Sequence, residues 1–237
     1  MRSKSLKTPL RYPGGKSRAC TKIESYFPDL SKYKEYREPF LGGGSVALYV
    51  TQKFPHLKIW VSDLYEPFLG GGSVALHITK KYPKLKIVVN DLYEPLYNFW
   101  LQLQVNGDYV HDQLQQLKSR FPDRGSARGL FEDAKEKLYD LDVSDKDRAV
   151  CFYIINKCSF SGLTESSSFS EQASDANFSM RGIDKLPVYS KLIKDWYITN
   201  VSYHHLLGDK EKTFVYLDPP YDIKDNLYGK KGSMHKK

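Results

Sequence analysis

This sequence is short of cysteine, of acidic residues and of long apolar runs, and each shortage excludes a class of protein. The three cysteines, Cys20, Cys151 and Cys158, are odd in number and match no zinc-ligand spacing. Neither a disulfide framework nor a zinc module is expected; buried thiols in a reducing compartment are. The basic opening from Met1 to Pro9 is not followed by an apolar segment, and no stretch is long enough to cross a bilayer. Neither a secretory leader nor a membrane span is predicted, so the expected location is the cytosol. Asp and Glu number 28 against 36 Lys and Arg, a formal charge of +8. That surplus favours a polyanionic partner, nucleic acid ahead of a membrane surface, because Lys and Arg bind phosphates with release of counterions. With 237 residues, 41% of them hydrophobic, the chain can bury one sizeable core, alone or with a smaller inserted module.

What the chain does contain is a tandem repeat. Residues 38–65 read EPFLGGGSVALYVTQKFPHLKIWVSDLY and residues 66–93 read EPFLGGGSVALHITKKYPKLKIVVNDLY, identical at 21 of 28 positions with no linker between them. A third Glu-Pro, Glu94-Pro95, follows the second copy. Two copies are too few for a solenoid, and so close a match points to recent duplication of one strand–loop–helix–strand unit. Each copy predicts a short strand ending in Pro-Phe, a turn of three glycines, and a helix opened by Ser-Val-Ala-Leu that stops near Pro55 or Pro83. A β-rich run follows (58–61 or 86–89) and ends at Asp63 or Asp91. Units of this βαβ form predict a parallel sheet.

Elsewhere, Arg11 to Lys16 reads as a turn before a helix over 17–26. Leu and aromatic spacing predicts helix over 96–118, then a loop over 121–129 and helices over 130–141 and 146–155. Residues 159–181 are rich in Ser, Glu, Asn and Gly without periodicity and read as a loop; 185–196 predicts a short helix. Residues 197–203 and 213–217 read as strands, the second running directly onto Asp218, and 222–237 is a polar, Lys-rich tail.

Three motifs carry chemistry. A glycine turn after a parallel strand lets the backbone approach a ligand, with free N–H groups at the following helix start. An acid on the next strand can then accept hydrogen bonds from ribose hydroxyls. In both copies that acid lies 20 residues after the middle glycine, Gly43 to Asp63 and Gly71 to Asp91. The Gly-Gly-Gly-Ser form departs from G-x-G-x-x-G and favours a nucleoside-type cofactor over a dinucleotide. Tyr12-Pro13-Gly14-Gly15-Lys16-Ser17 is not a P-loop, since Leu10 stands where the pattern needs its first glycine. Asp218-Pro219-Pro220-Tyr221 closes an apolar strand. There a carboxylate and carbonyls freed by rigid prolines suit an exocyclic amine with two N–H donors, and the Tyr offers a stacking face.

In their order, these pieces resemble the Dam-type DNA adenine methyltransferases, the D12 class of N6-adenine enzymes. Tyr12 to Lys16 matches the N-terminal motif, Glu-Pro-Phe-Leu-Gly-Gly-Gly the cofactor loop, and Asn90 to Pro95 the ribose acid. Asn156 to Leu163 matches the start of a target-recognition segment, and Asp218 to Tyr221 ends the series. The resemblance implies an α/β fold, a Rossmann-like S-adenosylmethionine-dependent methyltransferase sheet, incomplete here, with an inserted, mostly helical target-recognition region. Residues 8–100 would form the cofactor-binding part, 101–212 the helical and target-recognition region, and 213–237 the return to the catalytic sheet. The implied cofactor is S-adenosyl-L-methionine and the partner double-stranded DNA. Neither metal nor membrane is implied; a monomer is expected, in the cytoplasm of a prokaryotic or phage-infected cell, in a restriction-modification or phage setting. Catalysis is assigned to Asp218, Pro219, Pro220 and Tyr221. Cofactor contacts are assigned to Tyr12, Gly15, Lys16, Glu66, Phe68, Gly70, Gly71, Gly72, Asp91 and Asp218. Lys157, Arg181, Lys185 and Lys191 are expected on DNA phosphates.

Two departures from the family remain. It has one cofactor loop, and this chain has two; the second copy, contiguous with Asp91, is the favoured one. The rival is a hybrid of Gly42 to Gly44 with Asp91, the stretch between looped out. The family also continues past Asp-Pro-Pro-Tyr with elements that complete a seven-stranded sheet, whereas here 16 residues follow, so a truncated chain is expected. The same fold acting on cytosine N4, on RNA or on glutamine is a second enzymatic reading. A non-catalytic remnant that binds at most DNA or cofactor is the alternative of a different class.

Overall fold

The computed structural model describes residue 10 and residues 63–66, 69–72, 75–76, 79–80, 83, 86–160, 167–205 and 213–215. Among the described residues, four short strands form a sheet: β1 (Asp63–Glu66), β2 (Lys86–Asn90), β3 (Tyr197–Thr199) and β4 (Thr213–Val215). They lie in the order β3-β2-β1-β4, and every pairing is parallel. Tyr65 of β1 sits between Val88 of β2 and Val215 of β4. From Ile87 to Asn90 all of β2 is buried, as expected of a parallel strand covered on both faces. The chain steps outward from β1 through β2 to β3, then returns to the other side of β1 as β4. That reversal makes the carboxyl ends of β1 and β4 a crevice of the kind in which open α/β sheets bind ligands.

The helices follow from spacing and caps. In α1 (Glu94–Val105), Leu96, Phe99, Trp100 and Leu103 are buried at helical intervals, and Pro95 sits in the first turn, where its missing N–H leaves no gap. Asn106 separates α1 from α2 (Gly107–Arg120), so the predicted single helix is two. Helix α3 (Arg124–Lys137) starts at Asp123, whose side chain accepts from Ser126 N. This corrects the loop expected over 121–129: a strong cap starts the helix before Gly125 and Gly129, which it absorbs. Helix α4 (Asp145–Cys158), capped by Ser144, is buried at every residue from Ala149 to Cys158. It is the central rod, packed by α1, α2, α3 and α5 (Glu171–Asn177).

The aperiodic stretch expected as a loop over 159–181 holds α5 and the start of α6 (Met180–Ile183). Ser170 and Ser179 accept from Ala173 N and Gly182 N, so the serines that suggested a loop are helix caps. After α7 (Leu186–Leu192), β3 ends at Thr199 and Tyr203–His205 is a 3-10 turn, shorter than the strand expected over 197–203. Strand β3 falls within the span 101–212 assigned to helices and target recognition. Asp63, read as an acid ending a strand, instead begins β1, opposite Lys86 at the amino end of β2. The strand expected over 58–61 lies outside the described residues.

Candidate functional site

At the carboxyl end of the sheet the second glycine loop closes onto the second acid. Leu69 N donates to Asn90 O at 2.7 Å, which ties the chain beyond β1 to the last residue of β2. Gly70 and Gly72 have φ of 49° and 67°, values that glycine adopts freely and side-chain-bearing residues resist. Gly72 N donates to Leu69 O, and Leu76 N donates to Gly72 O, so the turn runs straight into helical residues 75–76 and 79–80.

The loop rests on Trp100 of α1. The indole Nε1–H donates to Gly70 O at 3.1 Å, and a Cβ on Gly72 would lie 2.6 Å from the indole Cζ2. Glycine at position 72 is thus required twice, by its φ and by this ring. Trp100 is fully buried and packs against Trp196, ring centroids 5.7 Å apart. Trp196 Nε1 donates to Thr79 Oγ1 at 2.7 Å. One turn beyond Trp100, Gln104 Nε2 donates to the carbonyls of Ile193 and Trp196. Helix α1 therefore grips the glycine loop and the approach to β3 together.

Asp91 follows β2 directly. Its Oδ2 accepts from Gly70 N at 2.9 Å and its Oδ1 from Tyr93 N at 3.0 Å. Burial pushes the carboxyl up to about 6 against the opposing pull of those two N–H groups. The residue keeps a partly exposed edge. A carboxylate offers about four acceptor positions, so two backbone donors leave it able to accept from hydroxyls of a bound molecule. Its main chain is held as well: Asp91 N donates to Thr199 O at 3.2 Å, and Asn200 Nδ2 donates to Asp91 O at 2.7 Å.

Of the residues singled out from sequence, Gly70, Gly71, Gly72 and Asp91 come together here. Glu66 ends β1 opposite Val89. Tyr12, Gly15, Lys16, Phe68, Asp218, Pro219, Pro220 and Tyr221 lie outside the described residues, although β4 ends at Val215, three positions before Asp218. Trp100 and Asn200 carried no sequence signal of a site, since helical periodicity assigns Trp100 to the core and Asn200 falls inside the strand expected over 197–203. Arg181, Lys185 and Lys191 are exposed, but Lys157 is buried with Nζ 5.1 Å from the Tyr153 ring centre, which removes it from the surface expected to meet phosphates. Among the described residues, no cluster of three or more His, Cys, Asp or Glu could hold a metal ion, and no helix is long and apolar enough to cross a membrane.

Comparison with known proteins finds one family model, that of the D12 class N6 adenine-specific DNA methyltransferases, matching residues 12–64 and 54–237. The two matches overlap over residues 54–64, within the first copy, so each takes in one glycine loop, and Asp63 falls in both. A curated relative is the Type II methyltransferase M.MjaIII of Methanocaldococcus jannaschii, 39% identical over 62 residues, 25% of this chain and 22% of that protein. The matched part of the chain therefore spans about a fifth of that relative's length.

Proposed function

Since the chain belongs to the D12 class of N6 adenine-specific DNA methyltransferases, we propose that it methylates the N6 amine of adenine in double-stranded DNA, using S-adenosyl-L-methionine bound at the glycine loop of the second copy. The observation that carries this reading is the Asp91 carboxylate. It stands at the carboxyl end of β2, bonded to Gly70 N and with acceptor capacity left over, which suits the two hydroxyls of a nucleoside ribose. Further support comes from the strand order β3-β2-β1-β4, all parallel, the order of a Rossmann-like half-sheet.

The cofactor supplies an activated methyl group on sulfur. In this reading Gly70 to Gly72 let the main chain approach it closely, Asp91 accepts from the ribose, and Tyr12, Gly15 and Lys16 contact its amino-acid end, with Glu66 and Phe68 on the approach to the loop. Asp218 and the Pro219 carbonyl accept the hydrogens of the adenine amine and hold the nitrogen lone pair toward the donor. Pro220 keeps the turn rigid, and Tyr221 stacks on a base turned out of the duplex. Catalysis is then mainly positioning, with no covalent intermediate. The exposed Arg181, Lys185 and Lys191 supply phosphate contacts.

Calorimetric titration with S-adenosylmethionine tests the site. Asp91→Asn should weaken binding about tenfold or more, the scale of one lost charge-assisted hydrogen bond, whereas Asp63→Asn should leave it unchanged. Asp218→Ala should abolish methyl transfer. Unaltered binding by folded Asp91→Asn would refute the assignment.

A further inference from the structure

The repeat poses a question of selection: of two nearly identical copies, the described residues show the second with its glycine loop closed onto its acid at the carboxyl end of the sheet. Among the buried positions described in the second copy, only two differ in the first, where Trp60 matches Val88 and Ser62 matches Asn90. The glycines, the loop leucine and the helix-opening residues are the same in both, so none of them can discriminate. The pentapeptide Asp-Leu-Tyr-Glu-Pro even occurs in both roles. Its first four residues at 63–66 form strand β1, and at 91–95 it supplies the acid and the start of α1.

Asn90 makes bonds that the first copy cannot reproduce. Its Oδ1 accepts from Thr199 Oγ1 at 2.9 Å and from Val201 N at 2.9 Å, and its Nδ2 donates to Val201 O at 3.0 Å. The side chain is 1% exposed. It therefore acts as a bracket between the end of β2 and the chain leaving β3, and that same segment holds the Asp91 main chain through Thr199 O and Asn200 Nδ2. A serine hydroxyl has one donor and two acceptor positions as well, but they sit on a single atom one bond nearer the main chain, so it cannot span the separate positions that Asn90 Oδ1 and Nδ2 occupy against Thr199 and Val201. The Val88 and Trp60 difference acts on volume instead. Val88 alternates away from Ile87 and Val89, which belong to the main core cluster, and a larger residue there meets ordinary packing resistance rather than a lost set of directional bonds.

We propose that Asn90 is the positioning residue that commits the chain to its second copy, so that Asp91 rather than Asp63 becomes the acid of the site. One readout of this inference rests on the cofactor reading above; the other does not.

The test exchanges the two residues in the full chain, Asn90→Ser with Ser62→Asn. S-adenosylmethionine titration should show binding that depends on Asp91 in the starting chain and on Asp63 in the exchanged chain, each assessed by the Asp→Asn change at that position. Binding that still depends on Asp91 after the exchange overturns the proposal and leaves selection to the Val88 and Trp60 difference or to the sequence that follows each copy. The second readout needs no cofactor. Hydrogen exchange of the amides of Lys86–Asn90 should be on the order of ten to a hundred times faster in Asn90→Ser, as expected when the three side-chain hydrogen bonds of Asn90 are lost or weakened, with α1 to α4 protected as before. Unchanged protection of β2 overturns the proposal. If the starting chain binds no S-adenosylmethionine, the cofactor reading fails alone, and unchanged protection of β2 in Asn90→Ser would still overturn the role given to Asn90.

Discussion

A glycine and a carboxylate set the terms of the site, and each makes a measurable demand. Gly72 combines a φ of 67° with an approach that would put a Cβ 2.6 Å from the Trp100 ring. Gly72→Ala should therefore lower stability by about 2–4 kcal/mol, from left-handed strain and overpacking together, read as a drop in the denaturant midpoint at constant slope. Asp91 titrates near 6 in the folded chain against 3.8 for a free carboxyl. The folded state then holds its proton more tightly than the unfolded state, so this group's contribution to stability falls as pH rises from about 4 to 6 and is level above. If Asp91 accepts from the cofactor ribose as proposed, cofactor binding moves the other way, because the ionised carboxylate is the better acceptor. Affinity should fall about tenfold between pH 7 and pH 5, and Asp91→Asn should flatten that dependence. At this scale the pairing of a glycine turn with an acid 20 residues on was legible in sequence, and the structure brings Gly70 and Asp91 together. The same pattern in both copies left local chemistry unable to choose between them. Trp100 was not legible, because a core tryptophan and one beneath a ligand loop have the same helical spacing.

The elements show where local signals compete. Helix α3 begins early because the Asp123 cap outweighs two glycines, and Gly129 has open space around its missing Cβ. Gly129→Ala should stabilise the chain by about 0.5–1 kcal/mol, whereas Ser144→Ala, which removes the cap of the buried central helix α4, should cost about 1 kcal/mol. Paired thermal melts check both signs. The Ser-rich stretch read as a loop because Ser favours turns and helix caps alike, and only packing distinguishes Ser170 as a cap. More telling is the pentapeptide Asp-Leu-Tyr-Glu-Pro, strand at 63–66 and helix entry at 94–95. Identical residues cannot carry different instructions. Their fate depends on the neighbouring sequence, a glycine triplet after one copy and the apolar face of α1 after the other. It depends equally on partners far along the chain, at Thr199 to Val201.

For the whole molecule, the parallel βαβ organisation was legible from the repeat, because alternating strand and helix patterns with short connections admit few arrangements. The order of strands was not, since β3 and β4 join the sheet more than a hundred residues after β1. Through that order the carboxyl end of β1, with its glycine loop, comes to lie beside β4, the strand that leads toward Asp218. The surplus of eight positive charges is consistent with the double-stranded DNA proposed as substrate.

The most direct measurement is nucleoside analysis of unmethylated duplex DNA after incubation with the purified chain and methyl-labelled S-adenosylmethionine. Label is expected in N6-methyladenine, and it should disappear with Asp218→Ala and fall sharply with Asp91→Asn. A soluble, cooperatively folded chain that binds DNA and transfers no methyl group, or that places the label on another base, would contradict the proposed function.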